Sequence, residues 1–168
     1  MCSTRARKTI TNEHESMLIG VISDTHGLLR PEAFEALRSV DHILHAGDVG
    51  DITILETLRT LAPVTAIRGN IDTYGPCTDL PATEVIELDG HFIYMLHSLD
   101  DLDIHPHAAG MNAVIYGHSH KPAITERDSV LYLNPGSAGP RRFSLPISVA
   151  YLELTDSKIS ARINYLIR

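Results

Sequence analysis

The sequence predicts an α/β fold in which a parallel sheet and a β-rich second sheet share one core. Strands and helices alternate in the first half of the chain, as they do where right-handed crossovers build a parallel sheet. In the second half, short strands separated by turn signals replace this alternation. No repeat, linker or low-complexity segment separates the halves, so we expect a single domain at residues 17–168. Residues 1–16 are polar and carry no apolar signal-peptide segment, and we expect a disordered tail.

The first half begins with MLIGVIS, a continuous apolar run typical of a buried strand. Pro31 suits the first position of a helix, and Asp51 is a favourable N-cap for a second helix. We predict strands at 17–23, 41–46 and 64–67 and helices at 31–40 and 51–61.

In the second half, Asp89-Gly90 is a strong hairpin signal between two strand-like segments. A short apolar run precedes GHSH, another precedes NPGS, and a last hairpin closes the chain. We predict strands at 83–88, 91–96, 113–116, 130–133, 148–154 and 158–167.

Composition excludes several classes of function. The formal net charge of −7 leaves no broad basic surface for nucleic acid. No apolar run approaches the ~20 residues of a membrane span. Cys2 and Cys77 form no CxxC pattern, which favours a reducing, cytoplasmic location over a disulfide-bonded secreted protein. The sequence leaves the oligomeric state, including a homo-oligomer, open.

Polar side chains follow five predicted strands. Ligands of open α/β sheets bind beyond the carboxyl ends of strands, so these side chains can converge. Asp24 and His26, like His118 and His120, are two residues apart, and on extended backbone each pair would point to one side. The polar groups are Asp24-Thr25-His26, Gly47-Asp48, Gly69-Asn70, His97 and Gly117-His118-Ser119-His120.

Carboxylates, an amide and imidazoles together suit Mn, Fe, Ni or Zn better than Mg or Ca. Seven such residues are too many for one ion and suit two ions bridged by a carboxylate, for which Asp48 is the natural choice. Two ions ~3.5–4 Å apart can clamp the attacking and leaving oxygens of a phosphoryl displacement. The predicted metal ligands are Asp24, His26, Asp48, Asn70, His97, His118 and His120.

The blocks D-x-H, G-D, G-N-x-D, a lone histidine and G-H-S-H occur in this order from Asp24 to His120, and N-P-G-S follows. With its motifs in this order, the chain resembles the calcineurin-like metallophosphoesterases, specifically the small bacterial and archaeal phosphodiesterases. The resemblance extends over nearly everything from Met17 onward. It implies an αββα four-layer sandwich of two mixed sheets with a dinuclear metal site at strand ends.

The resemblance also implies a phosphodiesterase or phosphatase that hydrolyses a small phosphoester by a metal-bound hydroxide. Asp48, Asn70 and His97 would act in catalysis, and Mn would be the commonest metal. One ion would be held by Asp24, His26, Asp48 and His120, and the other by Asp48, Asn70, His97 and His118. Many family members have G-N-H-[DE], whose histidine can protonate the leaving oxygen, whereas this chain has Ile71 there.

Two other functions share features with this sequence. The resemblance extends to the vacuolar-sorting retromer subunit, a protein-assembly scaffold, but such a scaffold does not need the complete ligand set present here. A dinucleotide-binding oxidoreductase would have G-x-G-x-x-G after its first strand, and this chain does not. The sequence leaves open whether His45 supports a ligand and whether Asp72, Arg141 or Arg142 contacts substrate.

Overall fold

The structure is a computed structural model that describes residues 16–168. The tail predicted at residues 1–16 therefore lies outside the described residues, apart from Ser16. Among the described residues, no helix is long and apolar enough to cross a membrane.

Strands dominate the described part of the chain. The two helices are α1 (Pro31–Ala36) and α2 (Ile52–Arg59). The strands are β1 (Met17–Ile22), β2 (His42–His45), β3 (Val64–Ala66), β4 (Thr83–Leu88), β5 (His91–Leu96), β6 (Ala113–Ile115), β7 (Ala123–Arg127), β8 (Val130–Asn134), β9 (Ile147–Leu154) and β10 (Ile159–Ile167).

The strands form two mixed five-stranded sheets, which confirms the predicted α/β class. The first sheet has the order β10-β9-β1-β2-β3, with β1, β2 and β3 parallel and β9 antiparallel to β1. The second has the order β4-β5-β6-β8-β7, with β5, β6 and β8 parallel between antiparallel edge strands. The parallel strands of each sheet place the site-bearing loops at their carboxyl ends.

The two sheets share one core. Fully buried side chains of β1, β5 and β8, among them Ile19, Ile93 and Leu133, pack in a single cluster between the sheets. A second cluster joins the outer face of the first sheet to α1 and α2, with Leu55 and Leu58 completely buried. Burying a Leu or Ile side chain contributes roughly 1.5–3 kcal/mol, so these clusters hold both layers in place.

The local signals for both helices are correct, although each helix is shorter than predicted. Pro31 is at the start of α1, and the Asp51 carboxylate accepts a hydrogen bond from the Thr53 backbone N–H (2.9 Å) as the N-cap of α2. The hairpin turn at Asp89-Gly90 is also confirmed, since both residues have positive φ (48° and 77°).

Two features of the second sheet differ from the prediction. Strand β7, which pairs with β8, was missed because its side chains are almost all exposed and show no apolar alternation. The outer face of this sheet is covered by residues 99–111, which form a 3-10 turn and loop in place of a regular helix. Leu99, Leu102 and Met111 pack there on Tyr94 and Tyr132.

Candidate metal centre

The predicted strand-end residues follow β1, β2, β3, β5 and β6, and backbone hydrogen bonds join their loops. The Asp24 N–H donates to the Gly47 carbonyl (3.0 Å), and the His26 N–H donates to the Asp48 carbonyl (2.9 Å). Within the second sheet, the Gly117 N–H donates to the His97 carbonyl (2.9 Å). Between the two sheets, the His118 N–H donates to Asp24 Oδ2 (3.2 Å). The loops of both sheets therefore meet at one place.

Most of these side chains project from left-handed backbone. Positive φ angles occur at Asp24 (55°), His26 (46°), Asp48 (54°), His118 (67°) and His120 (59°). The extended-backbone reasoning for the pairs of residues two apart was therefore wrong. A left-handed residue reverses the chain direction locally, so each side chain is aimed by a turn and not by strand alternation.

Close backbone approach requires glycine before two of the predicted ligands. A Cβ atom on Gly69 would overlap the Asp48 carboxylate, and one on Gly117 would overlap the Ser23 hydroxyl and crowd Asp24 Oδ2 (2.7 Å). The loops after β3 and β6 can therefore reach the two carboxylates only with glycine at these positions.

Asp24 is completely buried, and one of its oxygens faces three imidazoles. Asp24 Oδ1 lies 3.2 Å from His120 Nε2, 3.7 Å from His26 Nε2 and 3.9 Å from His97 Nε2. Its other oxygen accepts hydrogen bonds from the Ser23 hydroxyl (2.8 Å) and the His118 backbone N–H (3.2 Å). The carboxylate is therefore oriented by Oδ2, and Oδ1 points to the histidines.

Asp48 repeats this arrangement from the neighbouring strand. Its Oδ1 accepts a hydrogen bond from the Ile71 backbone N–H (3.0 Å). Its Oδ2 lies 3.3 Å from His97 Nε2 and 3.4 Å from His26 Nε2. One oxygen of Asp48 thus contacts imidazoles from both sheets.

The tautomer of His97 follows from its other ring nitrogen. His97 Nδ1 lies 2.7 Å from the Ala46 carbonyl, which can only accept, so Nδ1 carries the proton and donates. In the neutral ring, the lone pair of Nε2 then faces the oxygens of Asp24 and Asp48. Such a lone pair needs a positive charge between itself and the carboxylates, either a proton or a metal ion.

The pKa values of the carboxylates and of His97 reflect how close these groups lie to one another. Burial by itself would raise the pKa of the Asp24 carboxyl, but the imidazoles of His120, His26 and His97 outweigh it and lower that pKa. Burial likewise opposes ionisation of Asp48, yet His97 and the Ile71 N–H lower its pKa. Burial would lower the pKa of His97, whereas the Asp48 carboxylate and the Ala46 carbonyl raise it.

Asn70 and His118 lie together beside this cluster, and both are exposed. His118 Nδ1 is 3.1 Å from Asn70 Oδ1, and the His118 ring packs edge-on against His97 with 5.4 Å between ring centroids. His118 and His120 are thus separated, because His120 is buried with its Nε2 only 3.3 Å from His26 Nε2.

The residues present fit a divalent metal. Two groups bring ligand atoms within 4.8 Å of one another, namely Asp24 with His26 and His120, and Asp24 with Asp48 and His97. Asp24 Oδ1 and His97 Nε2 are buried without a hydrogen-bond partner. Buried polar atoms are normally satisfied, and a cation would satisfy both of these.

Asp72 supports the centre in a way that its motif did not reveal. It is buried, and its carboxylate accepts hydrogen bonds from the backbone N–H groups of Val49 (3.0 Å), Gly50 (2.9 Å) and Gly69 (2.8 Å). Asp72 therefore fastens the loop after β3 to the loop after β2.

The N-P-G-S segment also supports the loops, a role the sequence analysis did not assign. Asn134 donates to the Gly117 carbonyl (2.8 Å), and the Ser137 hydroxyl donates to the Asp24 carbonyl (3.0 Å). The only signal in the sequence was that N-P-G-S consists of turn-forming residues, which does not indicate the groups they bond.

His45 is a completely buried support residue. Gly47 N–H donates to His45 Nδ1 (3.3 Å), so His45 Nε2 carries the proton and donates to the Thr25 hydroxyl (3.0 Å). Burial lowers the pKa of His45 to about 4, and the ring is neutral at pH 7.

By contrast, Arg141 donates to the Arg168 carbonyl (2.9 Å), and Arg142 is exposed.

A cleft of about 510 Å³ opens beside the centre. It lies on the side of His97, Asn70 and His118 and extends over the segments that follow β3 and β5. Its polar lining includes Arg68, Asn70, His97, Ser98, Asp100 and Asp101. This volume suits a small-molecule ligand.

Fold and site together define a metal-binding α/β protein with a histidine and carboxylate centre at the carboxyl ends of two mixed sheets. The model of the calcineurin-like phosphoesterase superfamily domain matches residues 17–157, and the chain belongs to this family. The chain is 38% identical over 164 residues to a probable metallophosphoesterase of Methanothermobacter thermautotrophicus, covering 88% of this chain and 91% of that protein.

Other relatives differ in the roles their names give. The chain is 29% identical over 140 residues to a phosphodiesterase of Methanocaldococcus jannaschii, covering 71% of this chain and 83% of that protein. The solved structure of Vps29 from Entamoeba histolytica, complexed with Zn²⁺, superposes with a TM-score of 0.70 at 26% identity, covering 90% of this chain and 99% of that one. Proteins that resemble this chain are therefore named both as enzymes and as sorting proteins.

Proposed function

We propose that the protein is a phosphodiesterase that hydrolyses small phosphoesters with two divalent transition-metal ions. The observation that carries the proposal is the convergence of Asp24 Oδ1 and His97 Nε2, both buried and unpartnered, among carboxylates and imidazoles. The phosphodiesterase name of one relative and the adjacent cleft support the choice of substrate class.

In this proposal, one ion is held by Asp24, His26, Asp48 and His120. The other is held by Asp48, Asn70, His97 and His118. Support for Asp48 as the shared ligand comes from its Oδ2, which lies 3.4 Å from His26 and 3.3 Å from His97. Imidazole nitrogens with carboxylate and amide oxygens favour Mn, Fe, Ni or Zn, and Mn is the metal we propose.

When bound, the ions would supply Lewis acidity that neutralises phosphate charge and acidifies the attacking water. The chain's own residues orient the substrate and the metal-binding atoms. The Asn70 amide lies at the border of the cluster and the cleft, where its N–H₂ group can donate to a phosphate oxygen. The Ala46 carbonyl fixes the proton of His97 on Nδ1 and leaves Nε2 as a ligand atom. The cleft receives the alcohol portion of the substrate.

The alternative is a protein-assembly scaffold like the sorting proteins that share this fold. The feature favouring catalysis is the complete set of seven polar strand-end residues next to a cleft of substrate size. We also propose that residues 17–168 are one domain that acts in the cytoplasm, where the free thiol of Cys77 would remain reduced.

Metal content and turnover, measured together on variants, test this function. Because Asp48 Oδ2 faces both groups of imidazoles, Asp48→Asn should lose both metal equivalents and at least about 10²-fold in kcat/KM. His97→Ala and His120→Ala should each lose mainly one equivalent. The measurement is elemental analysis of the purified proteins with kcat/KM on phosphomonoesters and phosphodiesters.

Asp79→Asn is the matched control, because Asp79 is an exposed carboxylate that does not line the cleft. Loss of only one equivalent in Asp48→Asn would refute the shared ligand. A fully metal-loaded protein that turns over no phosphoester would favour the scaffold.

A further inference from the structure

The cleft beside the centre has an uneven charge. Asp100 and Asp101 both line it from the 3-10 turn at Leu99–Asp101, which directly follows β5 and His97. Among residues 16–168, neither carboxylate has an ion-pair partner, and both are exposed. They are therefore free to act on whatever occupies the cleft.

The positive charge of the cleft is smaller than its negative charge. Among the described residues that line it, Arg68 is the only lysine or arginine. Its Nη1 donates to the Leu80 carbonyl (2.9 Å) and more distantly to the Thr78 carbonyl (3.4 Å). These bonds to neutral carbonyls position the guanidinium but leave its single positive charge in place, so Arg68 offsets one of the two carboxylates.

An independent observation links the cleft to a ligand. His97 lines the cleft, is buried, and has an unpartnered Nε2 facing the two site carboxylates. Asn70 and His118 line the cleft as well. A phosphate at the centre would thus have its remaining ester group in the cleft, near Asp100 and Asp101.

We infer that the cleft selects phosphodiesters whose second alcohol is uncharged or cationic and discriminates against a second anionic group. The inference rests on the proposed function, and it names the substrate class that the same site takes. At ~6 Å in a water-like dielectric, each carboxylate changes the affinity for a unit charge by about threefold. Two carboxylates offset by Arg68 therefore give about threefold against an anion and about threefold in favour of a cation.

The test uses three diesters that share a para-nitrophenyl leaving group and differ only in the second alcohol. These are para-nitrophenyl phosphorylcholine, methyl para-nitrophenyl phosphate and carboxymethyl para-nitrophenyl phosphate. We expect kcat/KM to fall in that order for the metal-loaded protein at low salt. The spread should shrink as ionic strength rises, because exposed charges are screened.

Asp100→Asn/Asp101→Asn should abolish the preference for the cationic ester, mainly by changing the values for the charged esters. Asp103→Asn is the matched control, since this exposed carboxylate is nearby in the chain but does not line the cleft. An unchanged order in the double variant, or preference for the carboxymethyl ester in the wild type, would overturn the inference.

Calorimetric binding of phosphocholine and phosphoglycolate to the metal-loaded protein separates this inference from the proposed function. If no diester is turned over, the proposed function fails, and the binding ratio still decides the inference. Tighter binding of phosphocholine, lost in the double variant, supports the charge selection. Equal or weaker binding than phosphoglycolate refutes it.

Discussion

Single residues determine what this site can do. At Ile71, the backbone N–H and the side chain have separate effects on the site. The Ile71 N–H orients Asp48 by donating to its Oδ1 (3.0 Å), a role that any residue except proline could fill. The side chain, in contrast, can neither donate a proton nor carry charge. The neighbouring Asp72 is buried, and both of its carboxylate oxygens already accept hydrogen bonds from backbone N–H groups.

The convergence of these strand-end residues could be predicted from the sequence, but the directions of their side chains could not. Asp24, Asp48 and the histidines were located from strand ends alone. Their left-handed φ angles depend on contacts between loops that are far apart in the chain, such as the bond from Asp24 N–H to Gly47. The conformational propensities of neighbouring residues do not indicate such contacts.

Replacing Ile71 by histidine should help substrates with poor leaving groups more than those with good ones. General acid catalysis contributes typically about 10²–10⁴-fold, and most where the leaving oxygen is basic. The wild type should therefore prefer aryl phosphodiesters and act weakly on alkyl monoesters. The measurement is kcat/KM for wild type, Ile71→His and the apolar control Ile71→Leu across leaving groups of graded pKa.

For the Ile71 series, a wild-type rate independent of leaving-group pKa, with chemistry rate-limiting, would show that another residue supplies the proton. A variant that accelerates all esters equally would show that histidine acts through binding and not as an acid.

Secondary-structure elements were predictable where their local signals are strong. The starts of both helices, the Asp89-Gly90 hairpin and the buried strand β1 all follow from local chemistry. Strand β7 forms only because β8 offers it an edge, and the outer layer over the second sheet forms because Tyr94 and Tyr132 need cover. Both depend on tertiary context that a local pattern does not contain.

The connection between the loops after β2 and β3 depends on Asp72. In Asp72→Asn, an amide N–H₂ would face a backbone N–H where an oxygen now accepts. Leaving one buried donor unsatisfied costs about 1–3 kcal/mol. We expect urea unfolding to show a loss of about 2 kcal/mol, with weaker metal binding because the loops carrying Asp48 and Asn70 separate.

Asp79→Asn, an exposed substitution in the following 3-10 turn, should change the free energy of unfolding by no more than about 0.5 kcal/mol. If both substitutions had equal effects on unfolding, Asp72 would not hold the loops together. Unchanged metal affinity in a destabilised Asp72→Asn would show that the centre does not depend on this connection.

At the scale of the whole molecule, the two sheets meet at the centre as well as in the core. Asp24, His26 and Asp48 come from the first sheet, whereas His97 and His120 come from the second. A ligand held by both groups would resist separation of the layers. The stability of the entire sandwich should therefore respond to the metal.

Metal binding should raise the melting temperature. A ligand at about 100 times its Kd stabilises the folded state by about 2.7 kcal/mol. For a protein of this size, that corresponds to a rise of about 5–10 °C. Scanning calorimetry with Mn²⁺ and with chelator measures the shift, which should shrink in His97→Ala and His120→Ala. A shift that persists in both variants would place the stabilising ion elsewhere.

The left-handed backbone at the proposed ligands has a consequence for how this protein can change over evolution. Each non-glycine residue in that conformation costs about 1 kcal/mol, so five such positions together cost about 5 kcal/mol, an appreciable part of a domain's total stability. Glycine would relieve much of that cost at Asp24, His26, Asp48, His118 or His120 while removing a side chain from the centre. Selection for stability alone would therefore erode the site, and its persistence in a chain requires selection for what the site does.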